Sequence, residues 1–221
     1  MPPNAHDSPL APLCDGMADA RRRRLRTTPC FTAGTLIATR KGELPVEMLE
    51  AGDRVVTRDN GLQEVRWVGR RHLHVQDLQA EPHLCPVLVR QGSLGRNLPE
   101  RDLLLSPNHR VLVTQDRSTL AARGREVLVA SKHLIAEGAR SVASCGTTYL
   151  HLMFDRHEVV LSNGAWTESF LPEDQTLRGM GNAQRLEIFD LFPALKSPAG
   201  SAAYGAARPV VAGILTSADS E

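Results

Sequence analysis

From residue 30 onward the chain breaks into short apolar runs separated by turn residues. Phe31 to Thr39 reads as a strand, closed by the turn Arg40-Lys41-Gly42-Glu43. Pro45 to Leu49 leads to a second turn at Ala51-Gly52-Asp53. Arg54 to Arg58 is a strand, Asp59-Asn60-Gly61 carries hairpin chemistry, and Leu62 to Val68 alternates apolar and polar residues as a returning strand does. Residues 70–83 are polar, hold His72, His74 and His83, and predict a longer connection or an edge excursion. Cys85 to Arg90 resumes a strand that Gly92 and Gly95 break. Asp102 to Leu105 runs into the turn Ser106-Pro107-Asn108-His109 and a strand over 110–114. A polar loop covers 116–125, strands follow at Glu126 to Ala130, Thr147 to Phe154 and Glu158 to Leu161, and Asn163-Gly164 turns the chain again. Many short strands at close spacing with repeated turn signals predict an all-β domain.

The flanks break this pattern. Residues 1–29 are rich in Pro, Ala, Asp and Arg without periodicity and read as a mobile leader. Over 173–195, Leu177, Ala183, Leu186, Ile188, Leu191 and Phe192 predict a helix with one apolar face, with Gly179 and Gly181 weakening its start. Residues 196–221 turn to Ala, Gly, Ser and Pro and read as a disordered tail. The expected organisation is therefore a leader (1–29), a β domain (30–170), a helical extension (171–195) and a tail (196–221).

Composition narrows the partners. The chain of 221 residues is 42% hydrophobic and 23% charged, with a net charge of +1. That is ordinary globular composition with length enough for a core. Near-neutral charge argues against nucleic acid as the main partner, and the run Arg21-Arg22-Arg23-Arg24-Leu25-Arg26 reads as a solvated cluster. Cys14, Cys30, Cys85 and Cys145 are widely spaced, which points to no disulfide framework and no zinc site. Cys85 and Cys145 read as core residues, and His72, His74 and His83 lack a regularly spaced fourth ligand. No apolar run reaches the length of a membrane span and no signal peptide is evident. The default location is cytoplasmic, with a signal-peptide-independent export route left open.

Cys30 stands where the leader meets the first strand. A thiol there is placed to attack the carbonyl carbon of Pro29 and convert the Pro29–Cys30 peptide into a thioester. That shift is uphill for a relaxed amide, so the bond must be polarised and the tetrahedral intermediate held by oriented donors. The Ser-x-x-His turn supplies candidates: the Ser106 hydroxyl to orient the amide, and the His109 imidazole to protonate the leaving nitrogen. Pro29 crowds the carbonyl under attack and biases Thr28 towards extended backbone.

Four stretches, residues 30–61, 101–113, 126–135 and 148–170, together resemble a Hint domain, the self-processing module shared by inteins and the C-terminal part of Hedgehog proteins, and more narrowly its bacterial Hint_2-type relatives. The resemblance implies a horseshoe of twisted strands with pseudo-two-fold symmetry and Cys30 at its centre, to which the C-terminal helix read over 173–195 is added. It also implies that Ser106 and His109 hold the family's Thr-x-x-His positions. His151 stands where inteins commonly carry an aspartate, which makes it a candidate base, with Asp155 and His157 as candidate supports. Inteins end in His-Asn, and this chain has Glu168 and Ser169 at those positions. Serine does not cyclise to a succinimide, so full splicing is not expected.

The expectation is a single-turnover, cofactor-free self-processing domain. Its own N-terminal flank is the substrate, and water or a small or protein nucleophile is the acceptor. The first rival is a processing-inactive structural or interaction module with the same fold. The second is a cysteine hydrolase acting on other proteins.

Overall fold

The computed structural model describes residues 28–114, 126–137 and 139–211. The expectations for the leader up to residue 27 (its Arg cluster and Cys14 included), the loop 116–125 and the end beyond 211 lie outside these residues.

The strands are β1 (Phe31–Thr32), β2 (Leu36–Thr39), β3 (Gly42–Pro45), β4 (Arg54–Thr57), β5 (Gly61–Glu64), β6 (Trp67–His74), β7 (Val87–Val89), β8 (Leu103–Leu105), β9 (Arg110–Thr114), β10 (Glu126–Ala130), β11 (Arg140–Ser141), β12 (Gly146–Met153), β13 (Val159–Ser162), β14 (Ala165–Glu168) and β15 (Val210–Val211). They form two sheets. The first has the order β11-β7-β8-β1-β12-β6; the second runs β15-β10-β9-β14-β13-β2-β4-β5, with β3 paired to β2. The fold is all-β with helices near its C-terminal end.

The topology puts β1 in the middle of the first sheet. Phe31 pairs with Leu105 on one side and with Leu150 on the other. Both ladders are antiparallel, so the residue before Phe31 comes level with the residues after Leu105 and after Leu150. Those three residues are Cys30, Ser106 and His151. The register is held by burial, because Phe31, Leu105 and Leu150 all lie in the core with Val89, Leu103, Val129 and Leu152. A slip of one residue would turn this apolar set to the other face.

The span 70–83 differs from the expected connection. Strand β6 runs through Arg70, Arg71 and His72 to His74, and pairs with β12 over eight residues from Trp67↔Met153 to His74↔Gly146. Trp67, Gly69 and Leu73 point inwards with the period of a strand. The charged residues between them mostly face outwards and hide that period from composition. A side chain at Gly69 would overlap the Trp67 ring, so the glycine makes room for the indole. A short helix, α1 (Val75–Ala80), follows.

At the C-terminal end the single expected helix is two. α2 (Asp174–Gly179) and α3 (Asn182–Leu191) are separated at Met180-Gly181, where both residues have extended backbone. Leu177 and Ile188 are buried with Trp67, Met153 and Phe170, whereas Leu186 and Leu191 face solvent, so α3 buries less than its composition suggests.

Residues 196–211 are packed rather than loose. They carry α4 (Pro198–Ala203) and β15, which pairs in parallel with β10. Tyr204 Oη donates to the Phe154 carbonyl (2.6 Å), and Arg208 reaches Glu126 (3.0 Å) and Asp59 (2.6 Å). The segment covers the otherwise open edge of the apolar strand β10, which explains why a sequence of Ala, Gly, Ser and Pro docks.

Candidate active site around the Pro29–Cys30 peptide

Strand register delivers Cys30, Ser106 and His151 to one point, and the peptide Pro29–Cys30 runs between them. The Cys30 amide donates to Ser106 Oγ (2.8 Å), whose own hydroxyl donates to the Thr28 carbonyl (2.8 Å). On the other side His151 Nδ1 lies 2.8 Å from the Pro29 carbonyl oxygen. A carbonyl only accepts, so Nδ1 carries the hydrogen and Nε2 keeps its lone pair. That lone pair faces Cys30 Sγ at 3.5 Å and Thr28 Oγ1 at 3.5 Å. The thiol itself lies 3.0 Å from the Thr28 carbonyl and 3.2 Å from Thr28 Oγ1.

The turn from Ser106 to His109 is pinned from behind. Ser131 Oγ donates to the Ser106 carbonyl (2.8 Å), and the Ser131 and Lys132 amides donate to the carbonyls of His109 and Pro107. His109 lies against the Phe31 ring with centroids 4.4 Å apart, and among the described residues no hydrogen-bond partner reaches either of its ring nitrogens. A buried polar ring left unpaired is uncommon.

Burial sets the protonation of the cluster. It pushes the Cys30 thiol up to about 12, against the opposing hydrogen bonds of Thr28 and Ser106, so the resting group is a thiol. Burial also lowers His151 to about 4, opposed by the Pro29 carbonyl, and lowers His109 to about 4, opposed by the Glu168 carboxylate and, further down, by the Cys30 backbone. Both rings are neutral at neutral pH, in agreement with the Nδ1–H form of His151. Trp67 stacks near His151 (6.2 Å between centroids) and Phe170 meets it edge-on (5.0 Å), which keeps this side of the site dry.

A second cluster surrounds Glu168 and Ser169. Glu168 is fully buried; it accepts from the Arg110 amide (2.8 Å) and guanidinium (3.0 Å) and lies 3.5 Å from His157 Nε2. Burial raises its pKa, but His157 and Arg110 outweigh that and hold it below the ordinary carboxylate range. His157 Nδ1 accepts from the Ala207 amide (2.9 Å), so its Nε2 bears the hydrogen, directed towards the Ser169 carbonyl (3.2 Å) and Glu168. Ser169 Oγ accepts from the Glu158 amide (2.9 Å).

Residues 29–174 match the family described as the Hint domain. The chain belongs to the Hint domain family. It is similar in structure to the bacterial intein-like domain from Clostridium thermocellum (15% identity, 65% of this chain and 99% of that one, TM-score 0.40). It is also similar to a DnaB intein from Synechocystis sp. PCC 6803 (12%, 64% and 99%, TM-score 0.38) and to the gp41-1 intein (10%, 64% and 98%, TM-score 0.37). Membership rests on the family match; the structural likenesses are weak. No curated protein matches the sequence.

This Hint domain is of a self-processing type, and its structure sorts the candidate residues. Cys30, Ser106, His109 and His151 surround one peptide bond. His157 joins the Glu168 cluster instead, and Asp155 joins neither: its side chain is 71% exposed and pairs with Arg66 (3.3 Å). A polar corner read as one unit in sequence thus splits, because Asp155 and His157 point to opposite sides of the turn after β12. Cys145 is exposed and Cys85 half-buried, a correction to their reading as core residues. Among the described residues no three His, Cys, Asp or Glu side chains converge as metal ligands would, and no helix is long and apolar enough to cross a membrane. Three site residues escaped sequence reasoning. Thr28 belongs to the segment read as leader, and Trp67 and Phe170 carry no motif; Phe170 directly follows Ser169, and Trp67 lies two positions along β6 from Gly69, the register partner of His151.

Proposed function

We propose that this Hint domain activates the Pro29–Cys30 bond by an N-to-S acyl shift and releases its N-terminal flank by hydrolysis or by transfer to another nucleophile. One observation carries the reading: the same neutral imidazole touches the Pro29 carbonyl oxygen through Nδ1–H (2.8 Å) and faces the thiol through Nε2 (3.5 Å). His151 then serves both as base for the sulfur and as donor to the developing oxyanion. The sulfur attacks the Pro29 carbonyl carbon, the carbonyl π pair moves to oxygen, and the thiol proton passes to Nε2. Ser106 keeps the Cys30 nitrogen oriented throughout. His109 takes up a proton from solvent to form a transient imidazolium, which the Glu168 carboxylate favours, and gives it to the leaving nitrogen as the C–N bond breaks; His151 returns the sulfur's proton to solvent, so both rings end neutral. The net change moves one proton from sulfur to nitrogen and leaves a Pro29 thioester on Cys30.

Ser169 occupies the place where asparagine would cyclise, so the reaction ends with N-terminal release and not with splicing. Intact-mass spectra of the full chain with and without dithiothreitol or hydroxylamine, beside Cys30→Ala, test the reading. Loss of residues 1–29, faster with thiol and absent from the variant, supports it. An intact chain under every condition overturns it in favour of a processing-inactive module.

A further inference from the structure

We infer that Thr28, a residue of the departing segment, is a catalytic residue: its hydroxyl carries the Cys30 proton to His151. The inference rests on the reading above and adds a group that neither the Ser-x-x-His turn nor the strand register supplies. Thr28 is 5% exposed, and its side chain is folded into the cluster. Its Oγ1 lies 3.2 Å from Cys30 Sγ and 3.5 Å from His151 Nε2, so thiol, hydroxyl and imidazole form one closed triangle. The hydroxyl accepts one proton and donates another through the same oxygen atom, as a relay between thiol and imidazole requires. The Ser106 hydroxyl clamps the Thr28 carbonyl at 2.8 Å and fixes where Oγ1 can be, independently of what Oγ1 does.

The step balances. The S–H proton moves to Thr28 oxygen as the Thr28 hydroxyl proton moves to His151 Nε2. The sulfur lone pair forms the S–C bond to Pro29, and the carbonyl π pair moves to the oxygen held by Nδ1–H. The thiol hydrogen is turned at rest towards the Thr28 carbonyl (3.0 Å), and a rotation about the Cβ–Sγ bond brings it to Thr28 Oγ1 (3.2 Å). Because Thr28 leaves with the released segment, the spent domain loses part of its own proton path. The flank is thus selected by a hydroxyl two residues before the cysteine.

The test follows thiol-dependent release of residues 1–29 from the full chain by mass spectrometry, for wild type, Thr28→Val and Thr28→Ser, in water and in mixtures of light and heavy water. Thr28→Val keeps the branched shape and every backbone bond. It is expected to slow release by about 10- to 100-fold, within the range of proton-transfer catalysis, with thermal melting unchanged; Thr28→Ser recovers most of the rate. The wild-type rate bows with deuterium fraction, as two moving protons require, and that of Thr28→Val is linear. Wild-type release with an unslowed Thr28→Val and an identical isotope profile overturns the relay alone. Absence of release from wild type overturns the processing reading, and the relay with it.

Discussion

The two ends of this Hint domain meet in one neighbourhood and are built on opposite principles. At Cys30 every group is neutral: a thiol, two hydroxyls and two imidazoles, with contacts of 3.0–3.5 Å around the sulfur and, among the described residues, an unpaired ring at His109. At Ser169 the contacts are closed around a charge, with a buried carboxylate held by the Arg110 guanidinium and faced by His157 Nε2, and the serine hydroxyl tied to the Glu158 amide. Neutral groups in loose contact rearrange at little cost. A buried ion pair with satisfied hydrogen bonds resists change, because separating it exposes an uncompensated charge. The first arrangement suits the proposed acyl shift, and the second suits a fixed support.

The largest effect should come from removing the imidazole that touches both reacting atoms. His151→Ala is expected to slow thiol-dependent release by about 10²- to 10⁴-fold, the range for a positioned proton-transfer group. His151→Asn, which restores a donor towards Pro29 but no base, should recover only part of that rate. Quantifying released fragment against time in one gel or mass series checks both. Equal rates for wild type and His151→Ala would make the sulfur independent of the base.

Acid separates the two ends by pH window. His109 and His151 have folded pKa values pressed down to about 4 by burial, below the ordinary 6.5 they regain on unfolding. Between those values the unfolded chain binds more protons, so stability is full above about pH 6.5 and declines as pH falls towards 4. The loss is on the order of 3 kcal/mol for each ring. Glu168, held low by His157 and Arg110, adds its loss only below its ordinary 4.5. Urea midpoints measured from pH 7.5 to 4.5 should therefore fall through these two histidines, against a smaller opposing gain from Glu158, whose carboxyl burial holds above its ordinary value. His151→Phe should flatten about half of that slope; an unchanged slope would mean that His151 is not buried neutral.

Charge at the second end predicts a smaller effect of a different kind. Glu168→Gln keeps the shape but leaves Arg110 and His157 without their carboxylate. It should cost about 2–3 kcal/mol of unfolding free energy, at the modest end for a broken buried pair because Arg110 keeps some solvent contact. Per folded molecule, release should change far less than in His151→Ala. A loss of rate as large as that variant's would mean that the Glu168 charge beside His109 matters as much as the base at the sulfur.

Much of the first end could be read before the fold was known, for a physical reason. Strand β1 and its neighbours β8 and β12 are short apolar runs, and the chemistry-bearing residues directly precede or follow them or lie within them, so period and motif point to the same places. The second end was harder to read. Glu168 and Ser169 showed what was missing for splicing, but their partners Arg110, His157 and Ala207 are brought in by tertiary pairing that no local pattern encodes. The same holds for β6, where Arg70, Arg71 and His72 mask a strand that only β12 reveals. It holds again for residues 196–211, whose composition suggests disorder while Tyr204, Arg208 and Val210 anchor them.

That last segment gives the mildest test of the contrast. Tyr204 is buried to 8% exposure beside Phe192, and its hydroxyl bonds the Phe154 carbonyl, three residues from both His151 and His157. Tyr204→Phe removes the hydroxyl and keeps the ring, so packing is retained and one buried carbonyl loses its donor. The expected cost is about 1 kcal/mol, visible as a lowered urea midpoint. Ala207 and Val210 lie downstream of the altered anchor, so faster amide exchange at 207–211 should accompany it. The rate of thiol-dependent release should not move, because none of the contacts to Cys30, Ser106 or His151 involves this bond. A slowed release would mean that the C-terminal segment braces His151 through β12, and that the two ends are coupled rather than merely adjacent.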